Sequence, residues 1–195
     1  YLESIVDAKD EKVSSTLRSM SKALVRADAI VNGLLDFSRL SQLEMKLVNM
    51  NDVIESSILL VKHECDRYHI QLTKILAPDL PMIKVDKNKV EQVFVNLLMN
   101  AIDAMQNGGT LNIHTGAVTT ASGAGVCIQI HDSGSGIPRE ILSKVFDPFF
   151  TTKRAKNGTG LGLSIVKSII EMHKGSIEIK NKSDGGVTVT VLFSV

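Results

Sequence analysis

From Val13 onward, apolar side chains return at Val13, Leu17, Met20, Leu24, Ala27, Val31 and Leu34, spaced alternately by four and three, with Lys, Arg, Asp and Ser between them. That spacing is a heptad seam on one helix face. The stretch from about Asp10 to about Glu44 holds no Pro and a single Gly, Gly33, so it predicts one long helix whose stripe must be covered by other helices. Asn51 and Asp52 are candidate caps for a second helix ending near Tyr68. IQLTKIL then reads as a strand and APDLP as a turn, so the globular unit is expected to start near Met50. Further on, the pattern predicts a helix from about Asn88 to Gln106, strands near Thr110 to Val118 and Val126 to His131, and a Gly-rich stretch from Asp132 to Gly160. A helix from Leu161 to His173 follows, then two closing strands, GSIEIKN and GGVTVTVLFSV, joined across SDGG. Mixed helices and strands with hairpin-length connections predict an α+β fold: a two-layer α/β sandwich with a mixed sheet and helices on one face, over residues 49–195, preceded by a helical segment over residues 1–48.

Composition narrows the classes. A hydrophobic share of 44% over 195 residues is enough for a proper core, and the net charge of +1 argues against nucleic acid as a partner. Cys65 and Cys127 form no C-x-x-C pair and sit in no His/Cys cluster, so a disulfide scaffold and structural zinc are disfavoured and both are expected to be reduced thiols. No apolar run approaches the ~20 residues of a spanning helix, and YLESIVDAKDEK lacks the basic and apolar regions of a signal peptide. A cytoplasmic, soluble chain is expected, with a membrane-anchored parent left open.

Three segments carry candidate chemistry. In EQVFVNLLMNAIDAM the apolar residues Val90, Val93, Phe94, Leu97, Ala101 and Met105 share one face, while Gln92, Asn96, Asn100 and Asp103 line the opposite one. Two Asn cost helix propensity without local gain, and an amide oxygen can ligate a hard Mg²⁺ that keeps its other places for water and phosphate; a plain polar surface stripe is the other reading. In GVCIQIHDSGSGIP, alternation turns Val126, Ile128, Ile130 and Asp132 the same way, which puts a carboxylate at the end of a buried face. There it either accepts a bond from the exocyclic amine of adenine, with Gly134 and Gly136 letting a flat ring approach, or caps its own turn. In NGTGLGLSIVKSIIEMH, glycines precede a helix carrying Leu163, Ile165, Val166, Ile169 and Ile170, as in a phosphate cradle at a helix N-terminus. No Gly-Lys-Ser/Thr follows, so the pattern is not of the Walker type. Between these segments FDPFFTTKRAKNG sets Phe146, Phe149 and Phe150 to pack a loop, with Lys153, Arg154 and Lys156 outward as a phosphate lid or simply a solvated loop.

In this order the segments resemble the histidine kinase branch of the superfamily that also holds DNA gyrase, the heat-shock protein 90 chaperones and the mismatch-repair ATPases. EQVFVNLLMNAIDAM looks like the N box, DSGSGI the G1 box, FDPFFTTK the F box and GTGLGL the G2 box, over about Asn49 to Val195. RADAIVNGLLDFSRL resembles the second helix of the dimerisation and phosphotransfer domain, and FFTTK is similar to the nitrogen-regulation type of sensor kinase. The resemblance implies the Bergerat fold, ATP and Mg²⁺ as cofactors, and a catalytic pair of Asn96 near the γ-phosphate and Lys153 reaching the phosphates. It implies Asn100 as the Mg²⁺ ligand and Asp132 as reader of the adenine amine, with Gly134, Gly136 and Ile137 around the base and Asp103 close by. Gly158, Thr159, Gly160, Leu161, Gly162 and Leu163 would supply the cradle, and Thr188 would join the adenine through water. Asn96 stands where hydrolysing relatives carry a glutamate that activates water, and an amide cannot serve as that base, so fast intrinsic hydrolysis is not expected.

The family's acceptor histidine lies in an H box, and no such segment occurs here. His63 precedes Glu64, but CDRYHI follows, and His69, His114, His131 and His173 stand in no acceptor context and read as ordinary helix or strand residues. The resemblance therefore implies a kinase core that transfers the γ-phosphoryl of ATP to a histidine outside this sequence. It also implies a response regulator receiver domain as partner and a homodimer through the N-terminal helix. The alternatives are a nucleotide-gated interaction module that binds without transfer, and a serine kinase of anti-sigma type, which the heptad helix disfavours.

Overall fold

The computed structural model describes residues 13, 15–17, 20, 43–120, 123–152, 159–183 and 185–195. The described residues 13, 15–17 and 20 are helical; the rest of the expected helix as far as residue 42 lies outside them. Residues 43–45 are irregular and lead into β1 (Lys46–Val48), a strand the sequence pattern did not reveal. It pairs antiparallel with β3 (Ile83–Val85), with Leu47 opposite Lys84. Three residues are too few for alternation to register.

Helix α1 (Met50–Arg67) is capped by Asn49, whose side chain accepts from Asn51 N, so the cap sits before the two residues expected to provide it. Met50 is the reason: it is fully buried and must already lie on the helix. Asp52 instead occupies the first turn, where its charge complements the helix dipole. After β2 (Ile70–Leu76) and β3, α2 (Lys87–Ala104) begins at Asp86, whose Oδ1 accepts from Lys89 N at 3.1 Å. The hairpin of β4 (Gly109–Thr120) and β5 (Gly123–Asp132) follows, then a four-residue helix, α3 (Arg139–Leu142), within the expected Gly-rich loop. Helix α4 (Gly162–Met172) and the antiparallel pair β6 (Ser176–Asn181) and β7 (Val187–Ser194) close the fold.

The main sheet runs β2-β4-β5-β7-β6, with β2 and β4 parallel and every other pair antiparallel. Alternation along β4, β5 and β7 sends Leu111, Ile113, Ile128, Ile130, Val189, Val191 and Phe193 into one layer of core. Helix α2 lies over that layer between α1 and α4 and presents the wholly buried Val90, Val93, Phe94 and Leu98 to it. Each such side chain contributes about 1.5–3 kcal/mol by burial. The expected two-layer α/β sandwich, with a mixed sheet and helices on one face, is thus the observed architecture. At the ends of α2 and α4 remote from the cleft, buried His173 joins the two helices: Asp86 N donates to its Nε2 at 2.9 Å, and its Nδ1 lies 2.7 Å from Ile169 O.

Candidate nucleotide site

A cleft of about 540 Å³ opens between the second half of α2, the end of β5, the loop after it and the start of α4. Asp132 forms its floor. The alternation that buries Ile128 and Ile130 also carries this carboxylate inward, leaving the residue 6% exposed. Its Oδ1 accepts from Gly134 N at 2.9 Å and from Val187 N at 3.3 Å. Burial raises its pKa above the ordinary 3.8, and this outweighs the opposing pull of those two backbone N–H groups and of Lys182. Such a carboxylate gains from any ligand donor that compensates its lost hydration.

The glycines here are close-packed for definite reasons. A Cβ on Gly134 would stand 2.8 Å from the Ala104 Cβ, so α2 can approach the loop only over glycine. Gly186, at φ +80°, would put a Cβ 1.9 Å from the Asp132 carbonyl oxygen. The loop is held by a residue the sequence reading did not single out: Asn181 Oδ1 accepts from Ile137 N at 2.8 Å, and its Nδ2 donates to Ile137 O at 2.6 Å. An Asn at a strand end is a common turn former, so nothing local marked it as the clamp of a distant loop.

On the opposite side, none of the described side chains caps the start of α4, and first-turn amides of this kind are donors that an anion can use. Gly160, at φ +72°, turns the chain into that helix so tightly that a Cβ would lie 2.4 Å from the carbonyl carbon of Phe149. Thr159 Oγ1 accepts from Leu161 N at 3.4 Å. Of the three phenylalanines expected to pack the loop, Phe149 alone departs. Phe150 lines the cleft and Phe146 packs on the core with Lys167 Nζ 5.6 Å from its ring centre, but Phe149 is 54% exposed at φ +66°. Its backbone, pressed against Gly160, takes precedence over burial of its ring.

Of the expected site residues, Asn100, Asp103, Asp132, Gly136, Ile137, Thr159, Gly160, Gly162 and Leu163 line this one cleft. Gly134 N donates to Asp132, and Leu161 is buried. Asn96 is a turn back along α2, with its Oδ1 3.9 Å from where a Cβ on Gly162 would stand. Lys153 and Gly158, with Arg154 and Lys156, lie outside the described residues. Thr188 does not reach the cleft, which corrects the expectation for it. Along β7, Val187 and Val189 point inward, whereas Thr188 faces the other side of the sheet, where its Oγ1 is 2.8 Å from His131 Nδ1. The residue that meets Asp132 from β7 is Val187, through its N–H. Cys65 and Cys127 are free, as expected, and burial pushes both thiols up. Among the described residues no helix is long and apolar enough to cross a membrane.

Comparison with known proteins accounts for this arrangement. The profile of the histidine kinase-, DNA gyrase B- and HSP90-like ATPases matches residues 85–195. The sensor histidine kinase ZraS of Escherichia coli (strain K12) is 36% identical over 176 residues, which cover 90% of this chain and 37% of that protein. The chain thus spans little more than a third of the curated relative it matches. Among solved structures, the nucleotide-free catalytic domain of the histidine kinase ThkA superposes with a TM-score of 0.67 at 30% identity, covering 77% of this chain and 95% of that one. ThkA in complex with its response regulator protein TrrA superposes with a TM-score of 0.74 at 28% identity, over 96% of this chain and 52% of that one. With the matched profile spanning α2, the Asp132 loop, the glycine turn and the closing strands, the chain belongs to the family of histidine kinase-, DNA gyrase B- and HSP90-like ATPases.

Proposed function

We propose that this chain is the ATP-binding core of a sensor histidine kinase, transferring the γ-phosphoryl of ATP to a histidine imidazole outside the 195 residues for relay to the receiver domain of a response regulator. The observation that carries the reading is Asp132: a buried carboxylate whose Oδ1 is held by two backbone N–H groups at the floor of a cleft bounded by Asn100 and the turn into α4. An adenine amine donates to such an acceptor, whereas the guanine carbonyl at the same position is repelled. The uncapped first turn of α4 and the Gly160 to Leu163 backbone receive phosphate oxygens. The Asn96 side chain, close to Gly162, orients the terminal phosphoryl by donating from Nδ2, and Lys153 neutralises its charge.

The donors of the α2 wall fit Mg²⁺: the hard amide oxygen of Asn100 with the Asp103 carboxylate one turn on suits an ion that keeps water and phosphate oxygens as its other ligands. When bound, the ion supplies charge neutralisation at the phosphates. The chain's own part in transfer is positioning and electrostatics, since the imidazole nitrogen is itself the nucleophile and attacks phosphorus as the bond to ADP breaks. ThkA, whose structure with a response regulator is similar over nearly the whole chain, supports a receiver domain as the next acceptor, and the heptad seam of residues 13–34 supports a homodimer. The absence of a membrane-crossing helix among the described residues is in keeping with a cytoplasmic site of action.

Calorimetric titration of the chain with an ATP analogue, with and without Mg²⁺, tests the site. Radiolabelled ATP with a supplied acceptor helix of a related kinase tests the transfer. Label on the histidine is expected. Binding without label reduces the protein to a nucleotide-gated interaction module, and absence of binding removes the reading altogether.

A further inference from the structure

The face of the five-stranded sheet turned away from the helices carries its own side-chain cluster. His114 on β4 and His131 on β5 both project there, because their neighbours Ile113 and Ile130 take the buried positions. The antiparallel register sets His114 opposite Gln129 and Asn112 opposite His131, so the two imidazoles are diagonal neighbours. Their ring centroids lie 5.3 Å apart, with planes at 89°. From the other side β7 sets Thr188 opposite His131, with its Oγ1 2.8 Å from His131 Nδ1. That bond fixes the orientation of the ring and occupies Nδ1, so Nε2 is the nitrogen left for a ligand. Burial, with smaller contributions from His114 and Lys182 and against the pull of Asp132, lowers the His131 pKa from its ordinary 6.5.

We propose that His114 and His131 form a two-imidazole site for a borderline divalent transition-metal ion such as Zn²⁺ or Cu²⁺, with water completing the coordination shell and Thr188 as the positioning residue for His131. A histidine ligand whose second ring nitrogen is bonded to an oxygen is the usual arrangement in metal sites. Imidazole selects such ions over Mg²⁺, which prefers oxygen donors. Among the described residues no group of three or more His, Cys, Asp or Glu side chains comes together, so the ion is exchangeable rather than structural. His131 and Asp132 are consecutive but face opposite sides of β5, so the site is separate from the nucleotide cleft and stands whether or not the proposed kinase reading does.

The test is calorimetric titration of the untagged, chelator-stripped chain with ZnCl₂ and with CuCl₂ in a buffer containing MgCl₂, followed by the His114→Ala, His131→Ala and Thr188→Val variants. One ion per chain is expected, lost in either histidine variant and weakened by about 10–100-fold in Thr188→Val, the cost of removing an outer-shell partner. Cu²⁺ should also broaden the imidazole NMR signals of His114 and His131 together, before those of the exposed His63. Each variant's melting temperature is checked first, and if His131→Ala does not fold, His114→Ala and the NMR experiment still decide. Binding unchanged in His114→Ala, broadening of only one of the two rings, or displacement of the ion by Mg²⁺ overturns the proposal.

Discussion

The two ends of the nucleotide cleft are built on different principles. At the base end a buried carboxylate is held by the N–H groups of Gly134 and Val187, and Asn181 clamps the Ile137 backbone from β6. These bonds fix the shape of this end from within the protein, while the desolvated carboxylate keeps acceptor capacity for a ligand donor. At the phosphate end α4 begins without a side-chain cap, Gly160 takes a left-handed turn against Phe149, and an aromatic side chain is left exposed. On the proposed reading, that end is completed by the phosphates. On the same reading, recognition of the base is preorganised, whereas engagement of the phosphates rests on backbone donors at the start of α4.

The largest effect is expected from Asp132→Asn. Losing a charge-assisted bond costs about 2–3 kcal/mol, so affinity for ATP and for adenosine should fall together by roughly a hundredfold in calorimetry. The melting temperature at neutral pH should hold or rise, because the substitution removes a desolvated charge. A stable variant with intact binding would refute the base reading. Gly160→Ala should strike the other end. A left-handed conformation costs a residue with a Cβ about 1–2 kcal/mol before any clash, so ATP affinity should drop about tenfold or more while adenosine affinity is retained. Equal losses for both ligands would show that the two ends are not separable.

Acidity offers a subtler test. The folded-state pKa of Asp132 lies above the unfolded value of 3.8, so the folded protein holds this proton to higher pH than the unfolded chain does. The contribution of Asp132 to stability therefore declines as pH rises from 3.8 through the raised value and is constant beyond it. Adenine binding needs the carboxylate and runs the opposite way, weakening as pH falls through the same window. Calorimetry in two buffers of different ionisation enthalpy should detect proton release on binding there, and none for Asp132→Asn. The smallest effect is expected from Thr188→Val, which should leave ATP affinity unchanged because that hydroxyl is on the far face of the sheet. A clear loss would restore Thr188 to the adenine site.

Much of the fold was legible because its longer elements repeat their pattern several times over. Helix α2 shows its apolar face over five turns, and β5 alternates far enough that Asp132 falls on the buried side by counting from Val126. The strands β1 and β3, at three residues each, offer no period to read. The cap of α1 was misplaced because Asn49, Asn51 and Asp52 are all competent, and only the burial of Met50 chooses between them. Thr188 is the opposite case: the alternation of Val187, Thr188 and Val189 turns its hydroxyl away from the core, which motif resemblance does not register.

By itself, then, the sequence determined the periodic elements, the glycines at tight turns and the depth of Asp132, since each depends on spacing along one segment. The tertiary structure alone decided that Asn181 holds the loop at Ile137, that Val187 rather than Thr188 meets the carboxylate, and that His114 and His131 become neighbours. These depend on register between strands separated in sequence, and register is set only when both layers of the sandwich close on a common core.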